Sequence, residues 1–256
     1  MTVLNTRERR KKILDWLRQR GQVQVRAMAQ QFSVSEMTIR RDLEHLAREG
    51  HLVRTYGGAA LAGGLIPELP YAAKAAEHTE EKRRIARCAA SLVQEGDVIL
   101  LDAGSTTAEI ARCLKGRSGI TVVTCDLKIA MELCDEQGIR VLVTGGTAMP
   151  QVYNLLGPIA EQTLRALTVN LAFVGTSAAD VEYGLTTPTL EKVPLKQAII
   201  RAGQRSVLVA DASKFSRRST FQICELSAFS MIISDRSLPQ HVADAIRKGG
   251  VPLELV

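Results

Sequence analysis

Ile13, Trp16 and Leu17 recur at helical spacing within an otherwise charged stretch, which predicts an amphipathic helix over residues 7–20 closed by Gly21, a residue that takes a left-handed turn cheaply. Val25, Met28, Ala29 and Phe32 fall at i, i+3, i+4 and i+7 and predict a second, short helix with one buried stripe. Ser33-Val34-Ser35 interrupts it. A third helix is expected from Ser35, a good N-cap, with Ile39, Leu43 and Leu46 along one face and Gly50 as its stop. Two helices joined by so short a turn form a helix-turn-helix. Residues 51–61 then alternate apolar and polar around Gly57-Gly58, which predicts a hairpin, or wing.

Residues 62–78 lack an amphipathic period and contain Gly63-Gly64, Pro67 and Pro70. They divide the chain into an expected helix-turn-helix domain (1–60), a linker (61–78) and a larger domain (79–256). The larger domain opens with a predicted helix from Thr79 to about Gln94, with Ile85, Ala89 and Leu92 on one stripe. Short, almost continuously apolar runs follow at 98–101, 121–124, 141–144, 171–174, 207–210 and 231–233. Helical patterns separate them at 105–115, 126–136, 158–168, 190–203 and 238–248. Strands of that kind are buried on both faces, so the fold class expected is α/β: a winged helix-turn-helix plus a mostly parallel sheet covered by helices. Ligands of such sheets sit beyond the C-terminal ends of the strands.

Composition narrows the picture. At 46% apolar residues over 256 the chain is too apolar for a disordered protein, and its longest aliphatic runs, such as 98–101, are far too short to cross a bilayer. No signal peptide or membrane span is expected. Five cysteines, odd in number, scattered and without a CxxC pair, argue for reduced thiols and hence the cytoplasm, and neither they nor the four histidines suggest a metal site or a cofactor. The net charge of +6 is informative once located. Residues 1–58 hold 12 basic and 6 acidic side chains, and the remainder holds 21 of each, so the whole excess sits in the first domain. A small basic module on a neutral larger domain suits a nucleic-acid partner.

The third helix shows where that partner would be read. Opposite its apolar stripe lie Met37, Arg41, Glu44 and Arg48, flanked by Thr38, Arg40 and His45. In a helix-turn-helix the N-terminal half of this helix enters the major groove, where arginine bonds guanine bidentately and threonine meets a base edge or a thymine methyl. The candidate DNA contacts are therefore Ser35, Met37, Thr38, Arg40 and Arg41, with Arg54 and Tyr56 at the wing tip. The wing residues either reach a phosphate or the minor groove or, for Tyr56, pack on the wing's own base.

The run 34–43 (VSEMTIRRDL), followed by Leu46, Gly50 and 54–59 (RTYGGA), resembles the DNA-binding signature of the DeoR family of bacterial sugar-metabolism regulators.

Polar residues collect at the strand ends of the larger domain. Asp102-Ala103-Gly104-Ser105-Thr106-Thr107 turns directly into a helix whose first N–H groups lack partners, in outline a phosphate cradle; such a turn also serves simply as a helix cap. It has neither P-loop nor dinucleotide spacing. Other strands end in Thr124-Cys125-Asp126, Gly145-Gly146, Gly175 and Asp211-Ala212-Ser213-Lys214. A loop expected at 184–188 leads to Glu191, Lys192 and Lys196, whose lysines suit an anionic ligand.

These segments resemble, in order, the effector domain of the same family, which is similar to ribose-5-phosphate isomerase. The resemblance implies a phosphorylated sugar or sugar acid as effector. It would be held by residues drawn from Asp102, Gly104, Ser105, Thr106, Thr107, Thr124, Cys125, Asp126, Gly145, Gly146, Gly175, Glu191, Lys196, Asp211 and Lys214. Four positions depart from the family pattern: Cys125 stands for the usual asparagine, Ala178 for a glycine, Lys192 for an acid and Ser216 for a glycine. They either retune the ligand, weaken its binding, or leave Glu191 to supply the missing acid.

The function expected is a repressor of a carbohydrate-utilisation operon. It would bind double-stranded operator DNA as a homodimer or higher oligomer and be released by its effector. The alternatives are an isomerase-like enzyme fused to a DNA-binding module, with Asp102, Glu191 or Asp211 as base, and a DNA binder with a degenerate effector site. Fold likeness does not carry chemistry, and no catalytic residue is assigned.

Overall fold

In the computed structural model, which describes residues 5–20, 22–49, 51–55, 57–61, 65 and 68–256, each apolar stripe of the N-terminal region is the buried side of a helix. The order is α1 (Thr6–Arg20), β1 (Gln22–Gln24), α2 (Val25–Phe32), α3 (Glu36–Arg48), β2 (Leu52–Thr55) and β3 (Gly58–Leu61). Ile13 and Leu17, Met28 and Ala29, and Ile39, Leu43 and Leu46 meet in one core, with Trp16 and Phe32 stacked at its margin at 5.5 Å. α2 stops at Ser33, which takes a φ of +52°, and α3 starts where the Ser35 hydroxyl accepts the Thr38 N–H at 3.1 Å. β3 pairs antiparallel with both β1 and β2. Gly58 is required there, because a Cβ would lie 1.9 Å from the Val23 carbonyl oxygen.

A buried ion pair fastens α1 to α3. Asp42 is 2% exposed and accepts from Arg9 Nε at 2.5 Å and Arg10 Nε at 2.9 Å. Two arginines of the basic N-terminal run are thus spent inside the unit.

The chain divides into two units, residues 1–66 and 67–256. The stretch expected as linker is therefore split: Tyr71 and Ala73, on the short helix α4 (Tyr71–Ala76), are buried within the second unit, and Tyr71 N–H donates to the Gln151 carbonyl at 2.8 Å. Pro70 starts this helix, with the fixed φ that suits a helix entry.

The second unit continues α5 (Thr79–Ser91), β4 (Val98–Leu101), α6 (Ser105–Leu114), β5 (Ile120–Thr124), α7 (Leu127–Leu133), β6 (Ile139–Val143), β7 (Thr147–Ala148), β8 (Leu155–Leu156), α8 (Pro158–Arg165), β9 (Val169–Val174), β10 (Ala178–Asp180), β11 (Gly184–Thr187), α9 (Lys192–Ala202), β12 (Gly203–Val209), β13 (Phe221–Cys224), β14 (Met231–Ser234), α10 (Gln240–Lys248) and β15 (Leu253–Leu255). Seven strands form a wholly parallel sheet in the order β15-β14-β12-β9-β4-β5-β6. Alternate residues feed two cores: Ile99, Leu101, Val207 and Val209 pack under α5, α6 and α7, while Leu100, Val174, Leu208 and Ile232 pack under α8, α9 and α10. The strand order reverses between β4 and β9, so the crevice that open α/β sheets use for ligands lies at the ends of those two strands.

Two sequence readings are corrected here. Gly184–Thr187 is not a loop but the central strand of a small antiparallel sheet, β10-β11-β13. Its Gly184, at φ +69°, leaves no room for a Cβ against the Cys224 carbonyl oxygen 2.1 Å away. Nor is every long strand buried on both faces: β6 lies at the sheet edge and exposes Leu142 and Val143. No helix among the described residues is long and apolar enough to cross a membrane.

Asp42→Ala would take a buried carboxylate away from two arginines, one of them buried, and is expected to destabilise the N-terminal unit by about 3 kcal/mol. Thermal unfolding of the full chain by circular dichroism would show an early transition in the variant; an unshifted trace would mean that the pair is dispensable.

Candidate functional sites

In the first unit, α3 presents its N-terminal half to solvent. Met37 is 59% exposed, Arg41 is exposed, and Arg40 is half-buried beside Glu36 at 3.6 Å. Ser35 and Thr38 spend their hydroxyls on each other, 2.9 Å apart, as well as on the cap. Arg54 of β2 is half-buried and donates through Nη1 to the Arg40 carbonyl oxygen at 3.1 Å, so one arm of this expected DNA contact clamps the wing to α3. Tyr56 lies outside the described residues.

In the second unit the centre is Asp102, the first residue after β4, wholly buried at the point where the strand order reverses. Its Oδ2 takes the ammonium of Lys196 on α9 and the Gly175 N–H at 3.1 Å, and its Oδ1 takes the Ala103 N–H at 2.8 Å. Lys196 also donates to the Gly175 carbonyl at 2.8 Å. Asp102, Gly175 and Lys196 are thus brought together from β4, β9 and α9, and every charge there is paired, as burial demands. Cys125 is packed in the core behind them, its Sγ 4.0 Å from Asp102 Oδ1, and burial pushes its thiol well above the usual range. It supports the carboxylate from the apolar side.

Next to this pair is the Gly-Ser-Thr-Thr turn. Asp126 caps α7 through the Lys128 and Ile129 N–H groups at 2.7 and 3.3 Å, and accepts the Gly104 N–H at 3.1 Å. Thr124 and Thr107 are buried and bonded to main-chain carbonyls, of Leu101 and Gly104 respectively. The N–H groups of Ser105, Thr106 and Thr107 find no acceptor among the described residues, as expected of a first helical turn. Ser105 Oγ donates to the Lys74 carbonyl at 3.4 Å. Asp211 and Lys214 meet at 3.7 Å after β12.

Gly145 and Gly146 stand apart, with no hydrogen bond to the Asp102 group among the described residues. They answer a backbone need, since at Gly146, φ +110°, a Cβ would lie 2.5 Å from the Leu156 carbonyl oxygen. Glu191 is exposed at the start of α9 and makes no cap bond. Ser216 holds the left-handed φ of +53° that the family's glycine would take freely.

Three members of this cluster, Glu68, Lys74 and Lys82, escape the sequence reading. Lys192 is buried and pairs at 2.7 Å with Glu68, which precedes α4; Glu68 also binds Lys74 at 3.0 Å. Burial alone would raise the Glu68 carboxyl, yet the two lysines hold it below its ordinary value. Burial lowers the Lys192 ammonium, with Lys74 and Lys196 adding to the effect against Glu68. Lys82 is 2% exposed, donates to the Glu77 carbonyl at 2.5 Å and to that of Lys74, and is brought down to about 8 by burial and then by Lys214. Only its setting in a charged first turn, where a solvated residue is the usual reading, is visible in sequence. Five lysines (74, 82, 192, 196 and 214) are thus interleaved here with the carboxylates of residues 68, 77, 102, 109, 126 and 211. No cluster of three metal-ligating side chains occurs among the described residues.

Comparisons with known proteins follow the same division. A DeoR-like helix-turn-helix domain model matches residues 9–63, and a DeoR C terminal sensor domain model matches residues 77–236. The chain is 35% identical to a putative aga operon transcriptional repressor of Escherichia coli, over 99% of this chain and 95% of that protein. It is also 35% identical to the HTH-type transcriptional regulator GlpR of Haloferax volcanii, over 95% of each, and 29% identical to an Escherichia coli glycerol-3-phosphate regulon repressor, over 97% and 98%. Among solved structures, ribose 5-phosphate isomerase A of Methanocaldococcus jannaschii matches 54% of this chain and 55% of its own at a TM-score of 0.41 and 19% identity.

Burial raises the Asp126 carboxyl to about 6, against its backbone hydrogen bonds and with Asp102 adding to the rise. A carboxyl raised on folding contributes stability that is present below its unfolded value near 4 and is lost as pH climbs through about 6. Asp126→Asn should flatten that decline, worth on the order of 2 kcal/mol, in denaturant titrations between pH 4 and 7; an unchanged slope would assign it to another group.

Proposed function

The chain belongs to the DeoR family of transcriptional regulators, and we propose that it represses a carbohydrate-utilisation operon, its first unit reading the operator and its second binding a phosphorylated sugar or sugar acid that releases it. The observation that carries this reading is the turn of first-helix N–H groups at the start of α6, without acceptors among the described residues, beside the buried Asp102–Lys196 pair at the reversal point of the sheet. A phosphate there would accept the first-turn N–H groups of α6, with the helix dipole and the lysines favouring its charge. Asp102, oriented by Lys196 and the Gly175 N–H, would accept a sugar hydroxyl.

On the DNA side, Arg41, Met37 and Thr38 project from the exposed half of α3 and supply base contacts, while Arg40 and Arg54 anchor the backbone. One such module covers few base pairs. Half-sites in pseudo-palindromic operators lie about 34 Å apart, so the working form is a homodimer or higher oligomer. A ligand releases DNA only by binding the free form more tightly than the DNA-bound form, which requires coupling between the two units. The relatives named above are regulators and repressors, which leaves the isomerase-like fold in a binding role.

Three measurements test this. Arg41→Ala should weaken operator binding by about 1–3 kcal/mol at fixed salt while leaving effector affinity intact, as read by fluorescence anisotropy on DNA from upstream of its own gene. Unchanged operator affinity would move the recognition face elsewhere. Ser105→Pro, which removes one first-turn N–H of α6 at the helical position that tolerates proline, should bind that DNA normally yet resist release by any phosphorylated sugar or sugar acid that frees the wild type, and normal release would displace the site from α6. Finally, an anion raises the proton affinity of Lys82, so binding near pH 8 should take up protons, seen as a buffer-dependent calorimetric enthalpy; buffer-independent heats would place the anion far from Lys82.

A further inference from the structure

One carboxylate in the second unit occupies what is otherwise a complete anion site. Glu68 Oε2 accepts from Lys192 Nζ at 2.7 Å and Thr189 Oγ1 at 3.2 Å, while Oε1 accepts from Lys74 Nζ at 3.0 Å. Two ammonium groups and a hydroxyl around one carboxylate leave a net positive charge in a largely buried place: the side chains of Lys192, Glu68 and Lys74 are 6%, 16% and 18% exposed. Buried cations of this kind need an anion. The anion is supplied by a stretch that does little else, since residues 68–70 are in neither helix nor strand and the Glu68 and Leu69 main chain makes no hydrogen bond among the described residues. Its side chain is what seats it.

The cage adjoins the site of the proposed effector. Lys192 lies one helical turn before Lys196, which holds Asp102, so the two ammonium groups emerge from the same face of α9. On the other side the Lys74 carbonyl accepts from Ser105, the first residue of α6, and from the buried Lys82. A molecule with one anionic group on the α6 turn and another a few atoms away could therefore reach both places.

We propose that Lys74, Lys192 and Thr189 form a second anion subsite, filled by Glu68 in the free chain, and that the effector is doubly anionic, a phosphorylated sugar acid whose carboxylate displaces Glu68. The inference rests on reading the α6 turn as the phosphate seat. Displacement frees Glu68 and Leu69, which directly follow the boundary between the two units along the chain, and so lets the ligand act on the segment that leads to the DNA-binding part. A phosphorylated neutral sugar has nothing to exchange for Glu68 and would fill the first seat without freeing it.

Inorganic phosphate is a sufficient probe. Its binding to the full chain would be followed by calorimetry and phosphorus NMR in the wild type, in Glu68→Gln, and in Glu68→Gln combined with Lys192→Gln. Glu68→Ala serves as a second unblocking variant, and circular dichroism confirms that each is folded. The wild type should take up one equivalent, Glu68→Gln a second equivalent with a distinct resonance, and the double variant one again, with affinity at the second seat falling by roughly tenfold or more when Lys192 is lost. One equivalent in all three would overturn the subsite while leaving the α6 seat standing. Uptake only when Glu68 is replaced, and lost with Lys192, would keep the subsite but overturn the doubly anionic effector together with the α6 seat. No uptake by any variant would overturn both.

Discussion

A carboxylate taken out of water must be met by charge and by hydrogen bonds, and Asp102 is where this chain meets that demand. Lys196 supplies the opposite charge, and the N–H groups of Ala103 and Gly175 supply the bonds, so the ends of β4 and β9 and one face of α9 are fixed relative to one another by a single side chain. The geometry around it follows. Gly175 must bring both its N–H and its carbonyl to the pair, Cys125 seals the apolar side, and the α6 turn is held beside it by Asp126. The pair is thus at once the joint of the sheet and the floor on which an anionic ligand would be received.

The same economy operates in the first unit. Asp42 gathers Arg9 and Arg10, and Arg54 grips the Arg40 carbonyl, so that α1, α3 and the wing are tied together by side chains that read as surface charge. What remains outward on α3 is a smaller set than the sequence contains, with Met37 and Arg41 its most exposed members near the N-terminal end. Basic composition pointed to the partner, but part of that composition holds the reader together.

Elements whose residues are neighbours in the chain were legible. α1, α2 and α3 lie where their stripes put them, and the six expected strands of the large sheet are present because each is a short aliphatic run between helical patterns. β15 escaped because Leu253–Leu255 carries a glutamate at its centre, and β11 because four residues rich in threonine read equally as loop. The members of the site that went unseen are those defined by partners far away in sequence. Glu68 and Lys192 are 124 residues apart, and nothing local to either marks the other. Lys82 sits among charges in the first turn of α5, where burial is the exception, and only the carbonyls of Lys74 and Glu77 closing over it make it part of the core. Gly145 and Gly146 show how one residue type answers two needs, since a glycine pair at a strand end suggests a ligand while at position 146 the Leu156 carbonyl also demands it.

The strand order also bears on how the chain can come together in time. Among the described residues, the core of the first unit draws on residues 13–59, and α1, α2 and α3 meet across short separations, so these contacts become available early in synthesis. The large sheet is different, because β4, among the first of its strands to be made, has as one neighbour β9, which follows some 70 residues later, and its Asp102 waits for Lys196, 94 residues away. Until α9 emerges, that carboxylate lacks its Lys196 counter-charge. The unit that binds DNA is therefore complete well before the unit that would regulate it, and a nascent or truncated chain ending short of α9 would carry the reader without its restraint.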